Sequence, residues 1–455
     1  MRTRIGIGAT FGSAFLGALM AHAALQTPAA PAVDETVFRE YAGVYQWGPN
    51  AFVYLQMWDE GKPGQLVAFD ESGEVRTLYP TERDHFFAGP GVSVSTSIES
   101  RIEFQRARGN KIASLTWQRG GVAPRLAKRV DIEKREDIDF SNGDVRLAGT
   151  LISPARGGKH PAIILVHGSG AENREYILPF ARFLIRRGIA VLGYDKRGVG
   201  GSTGDWKTAS FDDLAGDVVA AFNCLKTRRD IDASQIGLLG VSQAGWIMPL
   251  AAIRAKDMAF LISISGAGIP GAETTIDQAQ NEMTASGMPS EVVEQIVGLM
   301  KLQNQVARTG QGWDEYAATR EKLVARAQAA GVQWPPPDLF PATPDHPYWQ
   351  FIRRLYFYDP APTLRQLQVP TLALFGELDN NIVAGKNKAA WEAALKAGGN
   401  RDYALKVLPK ANHYQWEAKV GSNAEMASLK RFVPEYFTTI QDWLGKHIRG
   451  FGAYR

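Results

Sequence analysis

Ile236-Gly237-Leu238-Leu239-Gly240-Val241-Ser242-Gln243-Ala244-Gly245 is the stretch from which the rest of the chain is read. Ile236 to Gly240 is an apolar run of strand length, and a helix-compatible run follows to Ile253. Ser242 therefore sits at the apex of a strand, a sharp turn and a helix. A serine held in such a strained turn needs small neighbours, because backbones approach closely there. Gly240 supplies the first small residue. Ala244 stands where a second glycine is expected, with Gly245 one place later, and a single methyl is a mild departure. The string alone occurs by chance in many proteins; the strand–turn–helix context gives it weight.

Strand-like runs recur on both sides, at Ala162–Val166, Ile189–Tyr194, Phe260–Ser265, Thr371–Phe375 and Tyr403–Leu408. Helical stretches such as Tyr176–Arg187 and Asp212–Lys226 fall between most of them. Continuous apolar strands alternating with helices predict a mostly parallel sheet covered on both faces. Ahead of it, Asp137–Phe140 and Val145–Ile152 flank Asn142-Gly143, a strong hairpin signal, and Asp131 to Asp137 reads as a charged junction. Ligand sites of such sheets lie at the carboxyl ends of the strands.

Serine is a weak nucleophile without a base. Of the seven histidines, His346, His413 and His447 follow Ser242. His413 lies just past Tyr403–Leu408, in Pro409-Lys410-Ala411-Asn412-His413. His447 lies in an amphipathic stretch among Gly, Lys and Arg and reads as a surface residue; His346 lies in a Pro-rich loop. Past Thr371–Phe375 comes Gly376-Glu377-Leu378-Asp379-Asn380. Asp379 has the right loop and order to orient an imidazole, with Glu377 as runner-up. An acyl-transfer intermediate also needs donors for its oxyanion. The backbone N–H of Gln243 is one candidate. The loop His167-Gly168-Ser169-Gly170, past Ala162–Val166, supplies the other, with Ser169 favoured over Gly168 and His167 as a buttress. Tyr194-Asp195-Lys196-Arg197-Gly198 follows the next strand and reads as a structural turn, since neither phosphate-binding glycine string is present.

Together these segments resemble the α/β-hydrolase superfamily, in its branch of serine esterases, thioesterases and aminopeptidase-like hydrolases. The resemblance runs from about residue 137 to 447, roughly two-thirds of the chain. It implies a catalytic triad of Ser242, Asp379 and His413, and hydrolysis of a carboxylic ester or related acyl bond through an acyl-enzyme. It implies no metal and no organic cofactor. It does not specify the acyl or alcohol group, and peptidase or thioesterase activity on the same triad stays open. So does a non-catalytic binding protein on the same fold. The superfamily also implies that residues about 266–363 form a helical cap. Ser290 is placed as the cap of a helix carrying Val292, Val293, Ile296, Val297 and Met300 on one face. A second helix is expected from Asp314 to Ala330. Most aromatics of Tyr348–Tyr358 are expected to hold the cap to the core, and Arg353 and Arg354 to be solvated or ion-paired.

Residues 37–130 read differently. Val53, Leu55 and Met57 alternate, as do Ile102 and Phe104, with turn signals at Gly89-Pro90-Gly91, Gly109-Asn110 and Gly120-Gly121. This predicts a small all-β domain whose strands bury one face. Its order Tyr41-x-Gly43-x-Tyr45, Phe86-Phe87, Ile102-x-Phe104 is similar to β modules appended to secreted serine hydrolases, and an accessory role is expected.

At the start, Arg2 and Arg4 precede an apolar stretch from Ile5 to Met20 and then Ala21-His22-Ala23. This is the order of a secretory signal peptide over residues 1–23, followed by a flexible joint at 24–36. Export to the periplasm or the cell exterior is expected, without stable membrane insertion after cleavage; an uncleaved anchor is the alternative. The chain of 455 residues is 45% hydrophobic and 22% charged, an ordinary globular composition that excludes disorder and collagen. A single cysteine, Cys224, excludes a disulfide framework and any multi-cysteine metal site; it falls in a helix and reads as packing. The net charge of +4, about +2 after cleavage, gives no reason to expect nucleic acid. A small-molecule ester or acyl substrate is the expected partner; oligomeric state is not readable.

Overall fold

The computed structural model describes residues 35–58, 65–177, 181–332, 334 and 339–451. The expected signal at 1–23 and nearly all of the expected joint lie outside the described residues. The joint's last positions begin a short helix, α1 (Glu35–Arg39).

Strands β1 (Gly43–Gly48), β2 (Ala51–Trp58), β3 (Gln65–Asp70), β4 (Val75–Glu82), β5 (His85–Ala88), β6 (Ser100–Arg106), β7 (Ile112–Arg119) and β8 (Arg125–Val130) form a closed barrel. Each pairs antiparallel with the next, and β8 returns to β1 with Val44 opposite Val130. The barrel interior holds Tyr45, Leu55, Leu66, Phe86, Phe104 and Leu115. The expectation of one buried face holds for β6, whose residues alternate between buried and exposed over Ser100–Phe104. It fails for β2, which is buried along nearly its whole length. There Val53, Leu55 and Met57 fill the barrel, while Phe52 and Tyr54 share an apolar core with Phe183, Trp416 and Phe432 of the second unit. The barrel is therefore cemented onto the rest of the chain. Arg182 reinforces the seam by donating to the Leu55 carbonyl at 3.0 Å and to Glu133 at 2.8 and 2.9 Å.

The second unit is an eight-stranded sheet of β9 (Glu133–Asn142), β10 (Val145–Pro154), β11 (His160–Val166), β12 (Ala190–Tyr194), β13 (Ile231–Val241), β14 (Leu261–Ile264), β15 (Thr371–Gly376) and β16 (Tyr403–Leu408). Its spatial order is β16-β15-β14-β13-β11-β12-β10-β9. All pairings are parallel except those of β10 with β9 and β12. The charged junction of the sequence reading is in fact the first half of β9. Its charged side chains are tolerated because β9 is an edge strand, largely exposed from Lys134 to Asp137. Asn142 pairs with Val145, so the tight turn is Gly143-Asp144, with Gly143 taking the positive φ of 57°.

Alternate strand residues serve opposite faces. Ile164, Leu192 and Leu238 pack toward α4 (Phe211–Lys226) and α5 (Ala244–Arg254). Ile163, Val191 and Leu374 pack toward α3 (Ala181–Ile185), which follows α2 (Arg174–Ile177), and toward α12 (Glu435–His447). Ser210 starts α4 with a capping box, its hydroxyl accepting from the Asp213 N–H and the Asp213 carboxylate accepting from the Ser210 N–H.

Between β14 and β15 the chain forms a helical cap from α6 (Gly271–Ala285), α7 (Ser290–Thr309), α8 (Trp313–Ala329) and α9 (Tyr348–Leu355). Val293, Ile296, Val297 and Met300 are buried in the cap's own core, as their spacing predicts. Ser290 is the first helical residue of α7 and makes no cap; Pro289 takes the cap position. The short α10 (Ala361–Gln366) and α11 (Ala384–Ala397) complete the unit. No helix among the described residues is long and apolar enough to cross a membrane.

Candidate functional site

Every strand-end loop singled out in the sequence converges at one end of the parallel sheet. Ser242 follows β13 with φ = 59°, a strained conformation for a residue with a side chain. Its N–H donates to the Ile264 carbonyl at 3.0 Å, and its own carbonyl accepts from Gly245 at 2.9 Å. The glycines are dictated by space. A Cβ on Gly240 would lie 2.5 Å from the Ala244 Cβ and 2.9 Å from the Val166 oxygen; one on Gly245 would lie 2.5 Å from the Ala267 nitrogen. Ala244 is fully buried, and the missing side chain at Gly240 leaves room for its methyl. The departure from the usual glycine pattern thus moves the strict requirement to positions 240 and 245.

His413 lies in the loop after β16 and Asp379 in the loop after β15. His413 Nδ1 is 3.0 Å from each carboxylate oxygen of Asp379. Asp379 also accepts from the backbone N–H groups of Asn381 (2.9 Å) and Ile382 (2.8 Å), so its orientation is fixed by four bonds in all. Glu377, the runner-up, instead accepts from the Lys410 N–H at 2.8 Å. The close approach of the two loops needs Gly376, where a Cβ would sit 2.4 Å from the Ala411 oxygen. The other later histidines are engaged elsewhere. His346 accepts from the Tyr348 N–H within the cap, and His447 is part-buried, stacked on Trp443 and 3.1 Å from Asp402, not the plain surface residue expected.

Ser242, Gln243, Gly168, Ser169 and His413 line one cavity of about 260 Å³. Its walls are mostly apolar and come from three sources: the sheet side (Trp206, Trp246), the cap (Met300, Phe351) and the barrel (Trp58). Trp58 also lies against Trp416, with ring centres 5.8 Å apart. Tyr348, Phe351 and Tyr356 line the cavity, whereas Trp349 packs inside the cap against Tyr316. Arg353 and Arg354 donate to the carbonyls of Ala307 and Lys207 and, among the described residues, form no ion pair; neither lines the cavity.

The loop after β11 bears on the less favoured of its two expected donors. The Gly168 N–H donates to the Glu172 carboxylate at 2.8 Å, so this group is already engaged and is not a free oxyanion donor. Ser169 and Gln243 both line the cavity. His167 buttresses the loop, donating from Nε2 to the Tyr194 carbonyl at 2.6 Å, and it is 2% exposed. Burial first, then the nearby Lys196 charge, pushes its pKa down to about 3, so it is neutral and unsuited to act as base.

Sequence reasoning missed Glu172, Lys196 and Glu282. Lys196 was read as part of a structural turn, yet it is 2% exposed and lines the cavity. Its only sequence signal is its place, two residues past the end of β12, equivalent to that of the other site loops. Glu282, on α6, is 1% exposed and lines the same cavity. One of its oxygens accepts from the Asn423 N–H at 3.1 Å; Oε1 makes no hydrogen bond among the described residues. Burial raises its pKa, against the Asn423 and Asn380 donors and His413, which lower it. Cys224 is half-buried in α4 against the core, as expected of a packing residue.

Comparison with known proteins agrees with this architecture. The model of the alpha/beta hydrolase family matches residues 163–421, more than half of the chain. Esterase EstD of Thermotoga maritima is 26% identical over 387 residues, covering 83% of this chain and 75% of that protein. Dipeptidyl-peptidase 5 of Porphyromonas gingivalis is 21% identical over 387 residues, covering 81% of this chain; the chain spans about half of that relative's length (48%). Among solved structures, the Pyrococcus furiosus esterase PF2001 is similar at 17% identity, with a TM-score of 0.46 over 70% of this chain and 92% of that one. From the family match and the sheet that carries the site, the chain belongs to the alpha/beta hydrolase family.

Proposed function

We propose that the protein is a serine hydrolase that cleaves carboxylic esters through an acyl-enzyme, with Ser242 as nucleophile, His413 as general base and acid, and Asp379 as the group that orients His413. The observation that carries this reading is the His413–Asp379 pair, with His413 sharing a cavity wall with the strained Ser242. Ser242 Oγ attacks the acyl carbonyl while His413 Nε2 takes its proton. The carbonyl oxygen becomes an oxyanion, received by the N–H groups of Ser169 and Gln243. The tetrahedral intermediate collapses, and His413 gives the proton to the leaving alcohol. A water deprotonated by His413 then attacks the acyl carbon and regenerates Ser242. The relative named an esterase supports ester substrates, and the apolar walls suit an acyl or alkyl group. Turnover of short p-nitrophenyl esters by the wild type and its loss in Ser242→Ala test this reading.

Glu282 favours a second substrate class on the same machinery. A buried carboxylate oxygen with no hydrogen bond among the described residues is costly, and a donor on the ligand would satisfy it. An aminoacyl group brings such a donor. Paired assays of an aminoacyl and a plain acyl p-nitrophenyl ester of equal chain length decide it. Glu282→Gln should lower kcat/KM for the aminoacyl ester alone; equal effects on both would remove this class. We also propose export, on the basic, apolar, small-residue order of residues 1–23. Sequencing the amino terminus of the protein recovered outside the cytoplasm tests it.

A further inference from the structure

The peptide unit joining Gly168 to Ser169 is gripped from behind. Its N–H belongs to Ser169, a residue that lines the cavity. Its carbonyl, on Gly168, accepts from Lys196 Nζ at 2.8 Å. The preceding peptide is held too, because the Gly168 N–H donates to Glu172 at 2.8 Å. Lys196 Nζ also lies 3.3 Å from Gln243 Oε1, on the residue that supplies the other oxyanion donor. One ammonium thus touches the peptide unit that carries the Ser169 N–H, through its Gly168 oxygen, and the Gln243 side chain, and Lys196 itself lines the cavity.

Burying an ammonium costs several kcal/mol as an order of magnitude, even when a counter-charge lies near. Burial lowers the Lys196 pKa and raises that of Glu172, and each offsets the other's shift by its charge. A cheaper way to pack this space would be an apolar side chain. The position is therefore better explained by what the charge does at the Gly168 carbonyl. In a trans peptide the C=O and N–H point in opposite directions, so a cation on the oxygen polarises the N–H on the far side and fixes the plane in which it points. The centre of the Trp206 ring lies 5.5 Å from Nζ.

We infer that Lys196, with Glu172 as its counter-charge, is a positioning residue of the oxyanion hole: it aims and polarises the Ser169 N–H through the Gly168 carbonyl and holds the Gln243 side chain. This rests on the proposed serine-hydrolase reading. It separates two effects that a merely structural charge would not. Loss of Lys196 weakens binding of the oxyanion and leaves binding of the neutral ground state intact.

The test is steady-state kinetics of Lys196→Met on p-nitrophenyl butyrate, together with inhibition by an alkyl trifluoromethyl ketone, which adds to the nucleophilic serine as an oxyanion. We expect kcat to fall roughly 10- to 100-fold, less than the roughly 10²–10³-fold cost of deleting a direct donor. KM should change less than about threefold, the ketone Ki should rise by the same factor as kcat falls, and Lys196→Arg should recover part of the loss. Lys196→Gln, which keeps an N–H donor without the charge, decides the matter should the Met variant not fold, with an intermediate loss expected. Unchanged kcat and Ki in a folded variant overturn the inference, as does a loss carried by KM alone. If Ser242→Ala keeps wild-type turnover, the serine-hydrolase reading has failed; if Ser242→Ala is inactive and Lys196→Met is unaffected, only the role of Lys196 has failed.

Discussion

His413 Nδ1 sits 3.0 Å from both oxygens of Asp379, and the two residues come from loops that follow adjacent parallel strands. Asp379 is 5% exposed and His413 is 6% exposed, so the pair is largely shielded from water. On the proposed mechanism, Asp379→Asn keeps the shape and removes the charge that selects the imidazole tautomer. The variant should lose about 10³–10⁴-fold in kcat with KM nearly unchanged, measured on p-nitrophenyl butyrate. A loss below tenfold would assign the orienting role to another group.

The elbow makes a stability prediction independent of catalysis. Gly240→Ala places a methyl 2.5 Å from the Ala244 Cβ and 2.9 Å from the Val166 oxygen. It should cost about 1–3 kcal/mol by overpacking, seen as a lower Tm. Ala244→Gly removes one of the two clashes, so the double variant should melt above Gly240→Ala. If the single variant melts with the wild type, the backbone there is looser than the contacts imply.

How much of this was legible in the sequence follows strand ends. Ser242, Asp379 and His413 each lie within a few residues past a parallel strand, and chain order then leaves few choices. The same rule singles out Ser169 and Gln243, both of which line the cavity. Lys196 obeyed it as well but was passed over, because a lysine in a polar, glycine-rich loop is ordinarily solvated. Only the folded loop shows its ammonium turned inward onto the Gly168 carbonyl. Gly168, ranked behind Ser169 as a donor, gives its N–H to Glu172, four residues on, and a local side-chain bond of that kind leaves no periodic trace. The barrel's second buried face was hidden in Phe52 and Tyr54. Alternation marks them as outward-facing, and nothing local tells that another unit covers them.

The seam between the units should behave as part of one fold. Arg182 is 5% exposed and joins Glu133 to the Leu55 carbonyl. Arg182→Ala leaves Glu133 without its cation and should lower stability by about 3 kcal/mol, read from the urea midpoint. Barrel and hydrolase probes should unfold in a single transition. Two separated transitions in the wild type would show that the shared core contributes little.

His167 predicts an acid response. Its folded pKa of about 3 lies below the ordinary value of 6.5 because burial keeps the ring neutral. The unfolded chain therefore binds the extra proton between these limits. The contribution to stability is complete above about pH 6.5 and is lost as pH falls toward 3, on the order of 4 kcal/mol at the end. His167→Gln keeps a donor for the Tyr194 carbonyl but cannot titrate, so its stability should fall less steeply between pH 6.5 and 4. Parallel pH profiles for the two proteins would exclude His167 as a source of the acid sensitivity.

The central claim is that Ser242 is the nucleophile. Incubating the wild type and Ser242→Ala with an alkyl fluorophosphonate, followed by intact-mass and peptide mapping, tests it most directly. The expected result is a single phosphonyl adduct on Ser242 of the wild type, with no adduct and no p-nitrophenyl ester turnover in the variant. An adduct on another residue, or wild-type turnover by Ser242→Ala, would contradict the account.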